Sequence, residues 1–368
     1  MSTRTDVAIY LPSLGGGGAE RVTVLLANEF AARGLTVDLV VSSEEGPYRE
    51  QISKEVRLIN LQAGRVLASL PALIRYLKNK KPRAILSALN HANITVLLAC
   101  MLARVTSRVV VAEHSTPSSA AVQHRALTAA VLRILMRLTY PKADQIVAVS
   151  GGVSADLIRF LNLPEKKVKI IYNPVIFPAI FEMSRQAVLD PWLEKEDSPV
   201  ILAVGRLTRA KDFPNLVEAF ALVRKEFPCR LAILGEGELR FELEELIRNL
   251  GLKESAHMPG FVKNPYAWMR RASIFVLSSA WEGLPTVLIE AMACGTPVVS
   301  TDCPSGPREI LADGMFGTLV PVASPVQLSH AILSTLKQQQ MENSFEHLSK
   351  FHVKHASERY LELLLESH

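Results

Sequence analysis

Short apolar runs of strand length, each followed by a stretch with helical periodicity, recur along this chain in two separate series. In the first series, Val7–Leu11, Thr36–Ser42, Ala84–Leu89, Arg108–Glu113, Gln145–Ser150 and Val168–Tyr172 read as strands. They are apolar almost throughout rather than alternating. Strands of that kind are covered on both faces, which points to parallel sheets flanked by helices. Gly15–Gly18 follows the first run, helical periodicity spans Ala19–Arg33, and Gly34 stands where a helix C-terminus favours glycine. The second series contains Pro199–Val204, Arg230–Leu234, Ile274–Leu277 and Pro297–Ser300 as strands, with helices over 215–226, 239–250, 286–293 and 326–337.

The expected fold class is therefore α/β: two tandem Rossmann-like doubly wound domains facing a central cleft. Such sheets bind ligands outside the carboxyl ends of their strands. A stretch marked by Asn173-Pro174, Pro178, Asp190-Pro191 and Pro199 separates the two series. The boundaries are set at residues 1–175 for the N-terminal domain and 176–345 for the second. A last helical segment over 346–368 can pack back on either domain, the N-terminal one by preference.

The chain has 368 residues, 49% hydrophobic and 21% charged, enough for two packed cores. Its four cysteines, Cys100, Cys229, Cys294 and Cys303, have neither metal-ligand nor redox spacing, and suit a reducing, cytoplasmic setting. The N-terminal residues do not read as a signal peptide, and no apolar run reaches the ~18–20 residues that span a bilayer.

Charge is uneven. Residues 1–175 hold 22 Lys and Arg against 12 Asp and Glu, whereas residues 176–368 hold 19 against 24. Within residues 60–142 there are 12 basic residues and one acidic, Glu113. This is either a solvated basic face or a surface facing phosphates, as lipid headgroups or a polyprenyl diphosphate. Nucleic acid is disfavoured, because aromatic residues for base stacking are almost absent there. Leu127, Val131, Leu132, Leu135 and Leu138 recur at helical spacing beside Arg133 and Arg137, a stripe that fits either core or membrane surface.

Three segments could carry chemistry. Gly15–Gly18, between a strand and a helix, lets backbone approach an anion. Gly205-Arg206-Leu-Thr-Arg-Ala-Lys211 supplies a planar guanidinium and a point charge just after a strand, enough to neutralise a diphosphate without a metal. The third runs Trp281-Glu282-Gly-Leu-Pro-Thr-Val-Leu-Ile-Glu290-Ala-Met-Ala-Cys-Gly-Thr-Pro. Glu290 lies about a turn into an apolar helix and requires a partner, which either vicinal sugar hydroxyls or a nearby Lys or Arg would supply.

The element Glu282-x7-Glu290 in this setting closely resembles the retaining family-4 glycosyltransferases of the two-domain B-type fold (GT-B). Gly-Gly-Ala-Glu-Arg near the start, Gly205-Arg206-Leu with Lys211, Gly235-Glu-Gly237 and Pro259-Gly-Phe261 recur in that family in this order. Cys303-Pro-Ser-Gly-Pro307 is similar to bacterial members that extend polyprenyl-linked oligosaccharides, with Ser305 where a glycine is usual.

The resemblance implies a role for each residue. Gly17 and Gly18 would approach the donor phosphate. Arg206 and Lys211 would hold the diphosphate and stabilise it as leaving group. Backbone around Phe261 and Val262 would contact the nucleobase. Glu282 would bind donor-sugar hydroxyls, the donor-binding run Gly283, Leu284, Pro285 and Thr286 would offer backbone N–H groups from all but its proline, and Glu290 would hold the ribose. His114, alone as readily structural as catalytic, would stand at the reacting sugar, and Glu20 at the acceptor.

The implied reaction is transfer, with retention, of a hexose or N-acetylhexosamine from a nucleotide diphosphate sugar, UDP-linked by preference. The implied acceptor is a glycan or polyprenyl-diphosphate-linked saccharide at the inner membrane surface. No cofactor and no metal are expected, since no Asp-x-Asp element is present. A UDP-sugar epimerase of the same fold is the alternative, and a two-domain ligand-binding protein the non-enzymatic one.

Overall fold

The structure, a computed structural model, describes residues 4–122, 126–188, 190–194, 198–338 and 345–365. The chain divides into two compact units, Met1–Pro174 with Lys350–His368, and Val175–Ser349.

The strands of the first unit are β1 (Val7–Leu11), β2 (Val37–Val41), β3 (Arg57–Asn60), β4 (Ala84–Ala88), β5 (Arg108–Glu113), β6 (Gln145–Ala148) and β7 (Val168–Ile170). They form one sheet in the order β3-β2-β1-β4-β5-β6-β7, with all neighbours parallel. In β1, β2 and β4 every residue is buried. The continuous apolar runs are thus strands sandwiched between helix layers. The helix Gly18–Ala32 packs Val22, Leu26 and Phe30 into the same core as Val7, Ile9 and Leu11.

The second unit repeats the plan with β8 (Val200–Val204), β9 (Arg230–Leu234), β10 (Ala256–Gly260), β11 (Ile274–Leu277), β12 (Val298–Thr301) and β13 (Thr318–Val320). These also pair in parallel, in the order β10-β9-β8-β11-β12-β13. Strand order reverses between β1 and β4 in the first sheet and between β8 and β11 in the second. At such a point the two flanking loops diverge to opposite faces and leave a crevice at the carboxyl ends. That position decides where the functional loops stand.

Three observed strands were not expected from the sequence: β3, β10 and β13. None reads as a long apolar run, and each closes a sheet edge. The second unit begins one residue before, and ends four residues after, the boundaries set from sequence. The final helix Val353–Leu365 belongs to the first unit and packs on the helix Gly18–Ala32 and on β4 and β5. Ala356, Tyr360 and Leu364 recur on one face and enter the first core. Arg108 donates from Nε to the Leu363 carbonyl at 2.5 Å, and Arg33 reaches the Lys354 carbonyl at 3.2 Å.

The stripe on the helix Ala126–Thr139 splits in two. Leu132 and Leu135 are half-buried, whereas Leu127, Val131 and Leu138 are 78%, 48% and 65% exposed, joined by Ile134 at 56%. No helix among the described residues is long and apolar enough to cross a membrane.

Candidate active site

The crevice of the second unit is built by the loops that leave β8 and β11. After Val204 the chain turns through Gly205 and Arg206, makes a short helical turn over Arg209–Lys211, and enters the helix Phe213–Glu226 through Asp212. Two backbone hydrogen bonds, Gly205 N–H to Leu234 O at 2.9 Å and Leu207 N–H to Glu236 O at 2.9 Å, tie this loop to the next strand's end. Gly235, at φ +139°, has to be glycine here: a Cβ would stand 2.0 Å from the Gly205 carbonyl oxygen.

The loop after β11 is stitched to the loop after β8. Ala280 N–H donates to Ala210 O at 2.9 Å, and Ser278 Oγ donates to Lys211 O at 2.8 Å. With both backbones fixed, Lys211 Nζ lies 2.5 Å from Glu282 Oε1, and the two side chains are only 19% and 13% exposed. Ser279 Oγ donates to the same carboxylate oxygen at 2.7 Å. Ser279 is itself held by Thr301 Oγ1, which donates to its carbonyl at 2.6 Å.

Gly283, Leu284 and Pro285 are buried beneath the loop that follows β12. Ser305 Oγ donates to Gly283 O at 2.8 Å. The serine that replaces the usual glycine thus braces the backbone in question. Thr286 opens the helix Thr286–Ala293, whose first turn no side chain caps. Glu290 is 3% exposed on that helix. Burial, and then the charge of Glu290, push the Cys294 thiol up to about 12, so it stays protonated. Cys303 is likewise pushed to about 12 by burial and then by Glu282.

Arg206 is exposed and has no ion-pair partner among the described residues. Phe261 is 55% exposed just after β10, with Val262 half-buried beside it. The second unit therefore brings Lys211 and Glu282 into contact, and carries Arg206, Phe261, Val262 and the segment 283–290 on the same edge of its sheet. Sequence reasoning missed Ser278, Ser279 and Thr301. Hydroxyls just after β11 and at the last position of β12 were their only sequence signal.

In the first unit, Gly17, Gly18 and Glu20 follow β1 and His114 follows β5. Gly17 caps the helix Gly18–Ala32, and Glu20 folds back over it. A Cβ at position 17 would meet Glu20 Oε2 at 2.2 Å, so glycine is required for the carboxylate to lie there. His114 is half-buried, its Nδ1 is buried without a partner among the described residues, and burial lowers its pKa to about 4. The imidazole is neutral at physiological pH.

The preceding residue, Glu113, is buried beneath it. Tyr140 Oη donates to Glu113 Oε1, and Asn93 Nδ2 donates to the same oxygen at 3.0 Å and to Ala112 O at 2.9 Å. Burial raises the Glu113 carboxyl to about 7 despite these bonds. Among the described residues no group of three or more His, Cys, Asp or Glu could hold a metal ion.

Residues 184–350 match the family model described as Glycosyl transferases group 1, and residues 16–176 match Glycosyltransferase Family 4. A Campylobacter jejuni protein is 32% identical over 359 residues, covering 95% of this chain and 94% of that protein. It is named N-acetylgalactosamine-N,N'-diacetylbacillosaminyl-diphospho-undecaprenol 4-alpha-N-acetylgalactosaminyltransferase. A second C. jejuni protein, named GalNAc-alpha-(1->4)-GalNAc-alpha-(1->3)-diNAcBac-PP-undecaprenol alpha-1,4-N-acetyl-D-galactosaminyltransferase, is 27% identical over 98% of each chain.

Among solved structures, Anabaena HepE in complex with UDP and glucose superposes with a TM-score of 0.80 at 19% identity, over 98% of this chain and 99% of that one. WaaG, a glycosyltransferase of lipopolysaccharide biosynthesis, gives 0.75 at 19% identity over 98% and 100%. The C. jejuni relatives are transferases, and the epimerase alternative is set aside. An identity of 32% along almost the full length of both proteins, joined to a shared architecture of two parallel sheets, makes this chain a member of the family-4 glycosyltransferases with the GT-B fold.

Proposed function

We propose that this glycosyltransferase moves a hexose or N-acetylhexosamine from a UDP-sugar, with retention, onto a saccharide carried on a polyprenyl diphosphate. The observation that carries the donor half is the Lys211–Glu282 pair at the strand-order reversal of the second sheet, with Arg206 exposed on the same edge. Lys211 and Arg206 take the diphosphate, Glu282 the donor-sugar hydroxyls, and Glu290 the ribose. Backbone of Gly283, Leu284 and Thr286 offers N–H groups, with Pro285 setting the turn between them, backbone at Phe261 and Val262 meets the base, and Gly17 and Gly18 offer backbone to a phosphate.

Two cations at the leaving group do the work for which a metal would otherwise be needed, and no cofactor is invoked. Retention follows from front-face displacement, in which the departing phosphate takes the acceptor proton. UDP-hexoses are ordinarily alpha-linked, and the alpha linkages in both C. jejuni names fit that course. Neutral His114 can accept from one hydroxyl and donate to another, which suits it to hold donor sugar and acceptor, with Glu20 beside the acceptor.

The acceptor class comes from the diphospho-undecaprenol substrates named for the two C. jejuni relatives. Its lipid would hold the enzyme at the inner face of the cytoplasmic membrane. The exposed row Leu127, Val131, Ile134 and Leu138, with exposed Arg137 on the same helix and exposed Lys142 just after it, supports that location.

The test is transfer of label from UDP-GlcNAc, UDP-GalNAc, UDP-glucose and GDP-mannose, with and without a bacterial membrane lipid extract. Label is expected in the lipid phase from a UDP-sugar, and only when extract is present. Transfer from GDP-mannose alone, or an altered sugar nucleotide released without extract, overturns the proposal.

A further inference from the structure

The geometry points to Glu282 as a switch on Lys211 that makes the site hold a complete sugar nucleotide better than the nucleoside diphosphate left after transfer. The inference rests on the donor-site reading above and goes beyond it. Lys211 carries a single compact charge on a flexible stem, and in this structure that charge is committed to Glu282 at 2.5 Å. The pair is largely screened from water, so its attraction is far stronger than that of a surface ion pair. Ser279 donates to the same oxygen, and Thr301 fixes the Ser279 backbone. The Lys211 backbone is fixed by Ser278. Glu282 is thus anchored, and the lysine stem is the part free to swing.

A diphosphate arriving without a sugar has to draw Lys211 from Glu282 and leaves that carboxylate without its cation, at a cost typical of a broken buried pair. A donor sugar offers its hydroxyls to Glu282 and repays that loss, so Lys211 can turn to the phosphates. Once the sugar has moved to the acceptor, the hydroxyls leave, Glu282 reclaims Lys211, and the nucleoside diphosphate is released. Sugar pocket and diphosphate pocket are coupled through one shared proton donor, and the coupling is reciprocal.

The experiment is calorimetric titration of UDP, GDP and ADP, and of the matching UDP-sugar, into the full-length wild type, Glu282→Gln, Lys211→Ala and the double variant. Gln keeps the shape and can still accept from Ser279. Glu282→Gln is expected to bind the preferred diphosphate about fivefold tighter or more, the low end of coupling between sites, while the sugar nucleotide gains nothing. In the Lys211→Ala background the same change is expected to have no effect on the diphosphate.

A gain that persists without Lys211 is mere relief of charge repulsion and overturns the switch, as does equal or weaker binding by Glu282→Gln. Ser279→Ala is an independent probe that alters no charge. It strips a competing donor from Glu282, strengthens its hold on Lys211, and is expected to weaken diphosphate binding; tighter or unchanged binding overturns the switch. If the wild type binds none of the three diphosphates, the donor-site reading falls and the switch with it. If it binds one and Glu282→Gln does not tighten it, only the switch falls.

Discussion

Lys211 illustrates what a residue type at a given place can do. Its ammonium meets a carboxylate because two loops diverge from neighbouring strands and are stitched by Ser278 and Ala280. In the proposed function Lys211→Ala removes a charge from the leaving group, and turnover is expected to fall by ~10²-fold or more, the scale of losing one such contact. Steady-state kinetics with the preferred donor check this. The sequence pointed to Lys211 as a cation five residues after Arg206 behind a strand, and to Glu282 and Glu290 by their spacing, Glu290 also by its apolar helix. Ser279 and Ser305 were not, since their worth lies in partners such as Thr301 and Gly283 that are distant along the chain. Glu113 was counted only as the lone acid of a basic segment, and its buried bonds to Tyr140 and Asn93 had no local signature. Its carboxyl titrates near 7 in the folded chain instead of 4.5. Between those values the folded chain keeps a proton that the unfolded chain gives up, so stability falls as pH rises through the window. The loss is on the order of 3 kcal/mol. Glu113→Gln cannot ionise, and its melting temperature is expected to fall less than that of wild type between pH 5 and 8. His114 works in the opposite sense, losing stability as pH falls from 6.5 towards 4, which separates the two in a melting series.

At the scale of elements, the central strands and the edge strand β7 were read from their apolar runs, while the edge strands β3, β10 and β13 were missed. β10 contains His257, Pro259 and Gly260, and β13 has three residues. An edge strand is paired on one side only, so its sequence need not be a continuous apolar run. The helix Ala126–Thr139 is the reverse case: its periodicity was plain, but which face met protein was not. The structure buries Met136 and leaves Leu127, Val131, Ile134 and Leu138 outward. Changing Leu127, Ile134 and Leu138 to serine removes three side chains worth ~1.5–3 kcal/mol each when buried in an apolar phase. Flotation with vesicles containing anionic lipid is expected to fall by at least ~10²-fold in partitioning, with the melting temperature held within a few degrees. Undiminished flotation would place the membrane contact elsewhere.

At the scale of the molecule, the two doubly wound units were legible because each repeats the same rhythm of buried strand and covering helix. The allegiance of the last helix was less so, because an amphipathic segment shows that it packs and not on what. Tyr360 is 1% exposed in the first core. Tyr360→Ala is expected to cost about 3–5 kcal/mol there, as truncations of large buried rings do. Calorimetry should then show the first unit melting earlier, while affinity at the nucleotide site proposed for the second unit stays unchanged. A matching loss of nucleotide affinity would show that the helix supports both units.

The return of that helix also sets an order of assembly on the ribosome. The first unit spans Met1–Pro174 and Lys350–His368, so its core lacks Ala356, Tyr360 and Leu364 until the whole of Val175–Ser349 has emerged. At roughly 5–20 residues per second, that interval lasts on the order of ten to thirty seconds. The segment encoded second is therefore the first able to finish folding. The N-terminal half waits until then with the surface that its first helix, β4 and β5 offer to the last helix still uncovered.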